Sequence, residues 1–178
     1  MHLRLARRLE RAGLDAAARA RVLDANARAL LHRLDVLGDE EHFDVLHPSR
    51  TLLILLDDCD VTDAEVLATA ALVESEHTDQ RIDDVAAARV PTPASSADLL
   101  LEELVSAQQP VRLIALAERL DHARHLHLRA PGVWRDFHES IGTVYAPVAE
   151  RTHARLARRY AWWHRTFRRR FLEPDGRG

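Results

Sequence analysis

Apolar positions recur at helical spacing along almost the whole of this chain. In "LDAAARARVLDANARALLHRLDVL", Leu23, Ala27, Leu30, Leu31 and Leu34 fall three and four residues apart with Asp and Arg between them. That spacing predicts an amphipathic helix turning this face to the core. "SRTLLILLDDC" is nearly continuous in apolar character, with Thr51 and Ile54 its only β-branched residues. Pro48 suits a first helical turn, so a short, almost fully buried helix is expected here, with a strand as the alternative. In "VTDAEVLATAALVESE", Thr62 stands three residues before Glu65, the spacing of a capping box. Val66, Leu67, Ala70, Ala71 and Val73 or Glu74 then share one side. "VPTPASSADLL" reads as a loop followed by a helix from about Ser96. "PVRLIALAERLDHARHLHL" directs Leu113, Leu116 or Ala117, Leu120 and Ala123 to a core, and "APGVW" stops it. Residues 135–172 are helical by periodicity, with Pro147 forcing a break or kink near Tyr145.

Composition agrees with this pattern. The chain has 178 residues, the size of one ordinary domain, and 47% of them are hydrophobic, with six glycines and seven prolines. The expectation is one all-α domain spanning 1–178. The single cysteine, Cys59, allows no intramolecular disulfide, and "MHLRLARRLERAG" carries the arginines but not the apolar core of a targeting sequence. The chain therefore reads as cytoplasmic, and no apolar run approaches the ~18 residues of a membrane span. All 25 basic residues are arginine. The missing lysine excludes Schiff-base chemistry and a Walker-type phosphate loop, both of which need its amine. A net charge of −3 argues against a wholly basic surface, so nucleic acid is not the expected partner.

Eleven histidines invite a metal reading. His125 and His127 diverge on a helix, whereas His122 shares a face with His125 and, at i and i+4, with Glu118. A histidine at such a position is ordinarily solvated and unligated. In "RTHARLARRYAWWHRTFRRRFL", Leu156, Tyr160, Trp163, Phe167 and Phe171 form one stripe, with Arg158, Arg165 and Arg169 elsewhere. The stripe reads as core or as a homo-oligomer interface. Interleaved arginines and aromatics also suit nucleic acid or an anionic membrane surface, with Trp162 the exposed residue to watch.

Four segments occur in an order that resembles the histidine-aspartate (HD) domain of the RelA/SpoT-type alarmone hydrolases. They are "HPSRTLLILL", "AALVESEHTDQ", "ALAERLDHAR" and "YAPVAERTH", against the family's "HP" step, "AALLHDVVEDT", "KLADRLHNLR" and "YAPLAERLG". The resemblance covers roughly 46–156, leaving 157–172 as a C-terminal Arg/aromatic helix. It implies a helical bundle that removes pyrophosphate from the ribose 3′ position of guanosine tetra- or pentaphosphate. It also implies a manganese ion held by two histidines and two aspartates. Carried over by position, the metal ligands fall on His47, Glu74, Ser75 and Glu118. The residues assisting catalysis fall on Thr78 and Asp79, and a substrate-contacting asparagine falls on His122.

The departures from that pattern matter as much as the match. Glu74 and Ser75 stand where His and Asp are expected, Glu118 is one methylene longer than Asp, and neutral serine is a poor ligand. The family's basic step ahead of "HP" is here "GDEEHFDVL", acidic where a polyphosphate needs positive charge. Arg50, Arg119 and Arg124 are the arginines expected to pair with stranded carboxylates, and Arg50 with His122 forms the expected ligand-binding pair. The reading is a degenerate HD-type protein that binds a ligand or partner, its cofactor a manganese or magnesium ion if the altered site holds one and none otherwise. The alternative is a divergent metal-dependent phosphohydrolase acting on a nucleotide or another phosphate ester.

Overall fold

A computed structural model of the chain describes residues 2–73 and 97–173. Among these residues there is no strand, and nine α-helices follow in order. They are α1 (His2–Arg11), α2 (Ala16–Leu37), α3 (His47–Asp58), α4 (Ala64–Leu72), α5 (Ala97–Ser106), α6 (Gln109–His125), α7 (Trp134–Ser140), α8 (Ala146–Thr152) and α9 (Ala154–Phe167). One hydrophobic core runs from Leu5 on α1 to Phe167 on α9. The all-α expectation holds, and α3 begins at His47 with Pro48 in its first turn, as the spacing predicts.

Two local expectations need correcting. On α2 the buried positions are Val22, Ala25, Asn26 and Ala29, while Leu31 is 67% exposed. The helix packs against α4 through small residues, because alanines let two backbones approach closely while the bulkier leucines flank the contact. Buried Asn26 ties α2 to α3 instead, accepting a hydrogen bond from Ser49 Oγ at 2.9 Å. The cap of α4 is Asp63, not Thr62: its carboxylate accepts from the backbone N–H groups of Glu65 and Val66 at 2.8 and 3.3 Å. A carboxylate at this point also meets the positive end of the helix dipole.

The two helices that matter most for function, α3 and α6, lie against each other. Both are buried on nearly all sides: α3 reads as an almost continuous apolar run, whereas α6 buries the charged or polar Arg119, Asp121 and His122 among its apolar residues. Tyr160 ties α9 to this pair, its buried hydroxyl donating to the Leu116 carbonyl at 2.6 Å. The aromatic stripe of α9 faces inward, with Leu156, Tyr160, Trp163 and Phe167 buried and Phe171 half-buried. Trp162, by contrast, is 59% exposed.

Between α7 and α8 the chain forms a π-helical turn, Ile141–Tyr145. Pro147 follows at once, in the first turn of α8. Proline has no N–H to give and its ring crowds the carbonyl four residues earlier, so a wider turn ahead of it relieves both demands. The same turn needs a glycine. A Cβ at Gly142 would lie 2.8 Å from His164 Nε2, a ring already stacked on His138.

Two outcomes check this description. Asp63→Ala should lower stability by about 1 kcal/mol through loss of the α4 cap, read as a drop in the urea midpoint at unchanged slope. Cys59 is buried, and burial, reinforced by Asp58 and Asp60, pushes its thiol up to about 12. A thiol reagent at mildly alkaline pH should leave the native protein unlabelled and modify the denatured one fully, since the thiolate is the reactive form.

Candidate functional site

His47, Glu118 and His122 come together where the start of α3 meets the middle of α6, and one ligand atom from each lies within 4.8 Å of the others. The sequence accounts for the α6 side: Glu118, Asp121, His122 and His125 lie at i, i+3, i+4 and i+7 and share a face. On α3, His47 and Arg50 are three apart and reach the same partner. That partner is Asp121. His47 Nδ1 lies 2.7 Å from Asp121 Oδ2, and Arg50 donates to both carboxylate oxygens at 2.8 and 2.9 Å. Arg50 also donates to the Phe43 carbonyl at 2.6 Å, which fixes the loop leading into α3.

Protonation states follow from these contacts. Burial lowers the His47 pKa more than Asp121 raises it, so the imidazole is neutral at neutral pH. Its proton sits on Nδ1, facing the carboxylate, and Nε2 carries the lone pair. Burial raises Asp121, but the hydrogen bonds of His47 and Arg50 outweigh it and hold the carboxyl down to about 2. Glu118 is likewise pushed up by burial and pulled further down by its hydrogen bond with His122, 2.9 Å from Nε2 to Oε1. The Arg129 guanidinium lies 3.2 Å from His122 Nδ1 and can only donate. These contacts place an acceptor at His122 Nδ1 and a donor at Nε2.

A second carboxylate lies near the second histidine. Asp44, in the turn before α3, is buried; one oxygen accepts from Arg129 at 2.7 Å, and the other, Oδ1, lies 3.9 Å from His122 Nδ1. Asp44 Oδ1 has no hydrogen-bond partner among the described residues. An orphaned buried carboxylate oxygen is costly, and at 3.9 Å His122 Nδ1 stands too far away to satisfy it. His47 has a carboxylate hydrogen-bonded at Nδ1, the arrangement that orients metal-bound histidines and raises their basicity, whereas His122 Nδ1 faces the Arg129 guanidinium. Two imidazoles and one carboxylate in this setting fit a borderline divalent ion such as iron or zinc better than manganese or magnesium, which favour oxygen donors.

Arginines close the surroundings. Arg33 on α2 lies within reach of the charges of Asp44 and Glu118, and burial holds its guanidinium below the ordinary arginine range. Arg119, buried beside Glu118, donates to the Tyr145 hydroxyl at 3.0 Å and lies over the rings of Tyr145 and Phe137. Asp44, Glu118 and Asp121 are met by Arg33, Arg50, Arg119 and Arg129, so the cluster already holds one positive charge in excess, and a dication placed among them would raise that excess to three.

Of the residues singled out from the sequence, His47, Glu118, His122 and Arg50 meet here. Glu74, Ser75, Thr78 and Asp79 lie outside the described residues. Of the arginines expected to pair with the site's carboxylates, Arg119 lies beside Glu118 and helps hold its carboxyl down, whereas Arg50 pairs with Asp121 and Arg124 with Asp58 at 3.2 Å. Asp121, Asp44, Arg33 and Arg129 were missed. Asp121 was visible in the i, i+3, i+4 spacing with Glu118 and His122. The other three arrive through loops and a separate helix, and no local pattern marks them. No protein family, characterised protein or solved structure compared with the chain matches it.

Asp121 supplies the test of this network. Its folded pKa lies below its ordinary value of 3.8, so its stabilisation is fully present above about pH 4 and is lost as pH falls toward about 2. Urea unfolding across that interval should show a loss of about 2 kcal/mol that Asp121→Asn largely lacks. At neutral pH Asp121→Ala should cost about 3–5 kcal/mol, because Arg50 is left as a part-buried charge without its partner.

Proposed function

We propose that the His47, Glu118 and His122 centre holds a divalent cation and, with it, a phosphate-bearing ligand such as a nucleotide or another phosphate ester, on a scaffold of the HD type. The observation that carries this reading is the convergence of His47, Glu118 and His122, with Asp121 hydrogen-bonded behind His47. His47 and Glu118 are also the two ligands that the alarmone-hydrolase resemblance carries over among the described residues, and His122 adds the third donor. A cation here would supply a Lewis acid that neutralises phosphate charge and acidifies water for hydrolysis. Arg33 and Arg129 supply positive charge that the acidic stretch ahead of His47 does not, and an anionic ligand would meet the excess charge left by a dication. Asp44 belongs to that acidic stretch, so part of its negative charge is spent within the protein on Arg129.

A second reading, ligand binding without metal or turnover, is favoured by the closure of the network itself. The His47 and His122 rings stack with centroids 4.1 Å apart and planes 15° from parallel. Their in-plane lone pairs do not converge in that pose, so a shared ion requires the rings to splay.

The two readings separate on metal content. The purified protein should carry a substoichiometric or full equivalent of manganese, iron or zinc, or take one up in a calorimetric titration with zinc chloride. Glu118→Gln and His47→Ala should abolish uptake, and Asp121→Asn should weaken it about 10- to 100-fold. Phosphate or pyrophosphate release from a panel of nucleotides, guanosine tetraphosphate included, then reads turnover. Absence of uptake, with the Glu118 and His47 variants indifferent to zinc in thermal unfolding, decides for the metal-free reading.

A further inference from the structure

The outer face of α9 is used by none of the chemistry above, yet it forms a cationic groove. Arg155, Arg158 and Trp162 follow one another on this face at spacings of three and four residues, Arg170 lies in the π-helical turn Arg168–Leu172 that continues α9, and Arg124 and Asp58 stand opposite. Two cavities of about 450 and 410 Å³ share Trp162 as a wall. A third, of about 340 Å³, joins them at Arg159 and Arg124 and extends to the outer side of Asp121. From Arg155 to Arg170 the groove runs on the order of 20 Å, at ~1.5 Å per helical residue.

Its charge is unlike that of the chain as a whole, whose net charge is −3. Asp58 is neutralised within the fold, clamped by Arg124 at 3.2 Å and by Arg159 at 3.0 Å. Arg155 is paired with Asp60 at 2.9 Å. Arg158 and Arg170 have no carboxylate partner among the described residues, and Arg170 rests over the Phe171 ring. An exposed indole in the middle of such a groove is not explained by packing, since the core stripe of α9 lies on the other side.

We infer that this groove binds single-stranded nucleic acid, the arginines tracking the phosphates and Trp162 stacking on a base. A concave, elongated cationic channel with one stacking platform fits a flexible polyanion. A membrane surface is flat and is gripped by an apolar helix face, and the apolar face of α9 is turned inward. The inference is independent of the metal centre.

The test uses the full-length protein and fluorescein-labelled oligothymidylate and oligouridylate of about twelve nucleotides, with fluorescence anisotropy read at several salt concentrations. Binding is expected, with affinity falling steeply with salt and tryptophan emission quenched. Trp162→Ala should weaken it about tenfold, and Arg158→Gln should reduce the log–log salt slope by about 0.7. Both side chains are exposed, so the variants should keep the parent's thermal midpoint, which is measured alongside. Preference between the two oligomers tells DNA from RNA. No anisotropy change at about 50 mM salt overturns the inference, as does binding that neither substitution alters. Sedimentation with phosphatidylserine vesicles without oligonucleotide binding overturns it in favour of a lipid surface.

Discussion

The Asp121 carboxylate is the point on which the site is built. It lies 74 residues from His47 in sequence and is almost wholly buried, and it is held by an imidazole and a guanidinium presented one helical turn apart on α3. A buried carboxylate is tolerable only when its lone pairs are met, and here four donor contacts from two residues meet them. Its satisfaction sets the His47 tautomer, turns Arg50 toward Phe43 and fixes how far along α6 the α3 helix can sit. His122, Glu118 and Arg129 take their places relative to that junction.

The fold was largely legible because helix periodicity survives burial and because proline, glycine and the capping residues punctuate it locally. The lapses have physical causes. On α2 the leucine face lost to a smaller face of alanines, valine and asparagine, because close approach to α4 depends on side-chain size as much as on hydrophobicity. At α4 two capping chemistries competed at adjacent positions, and Asp63 prevailed over Thr62 with a charged acceptor for two N–H groups. The site was half legible. Residues sharing a helix face could be grouped from spacing, as Glu118 and His122 were, but Asp44, Arg33 and Arg129 approach through space and leave no mark on a one-dimensional pattern.

Arginine does unusually varied work in a chain with no lysine. Arg50 and Arg159 fork onto carboxylates, Arg119 lies between two aromatic rings, and Arg170 rests on Phe171. The planar guanidinium can do all of these, whereas an ammonium would be a point charge in each. The consequence is that buried and surface electrostatics share a side chain type but not a role: the inner arginines face Asp44, Glu118 and Asp121, while on the outer side Arg155 and Arg159 are paired and Arg158 and Arg170 have no carboxylate partner among the described residues.

The π-helical turn at Ile141–Tyr145 carries one more implication. It holds an extra residue relative to an α-helical path, and each residue turns a helix by about 100°. The wider turn takes up that residue locally, so the helix after it keeps the direction of the helix before it. Deleting one residue would close the segment to an ordinary α-turn and set the Pro147 ring against the carbonyl four residues earlier, a clash the wide turn avoids. The extra residue thus lets α7 pass into α8 across a proline without a sharp kink, and Tyr145, at the end of the turn, keeps its place under Arg119.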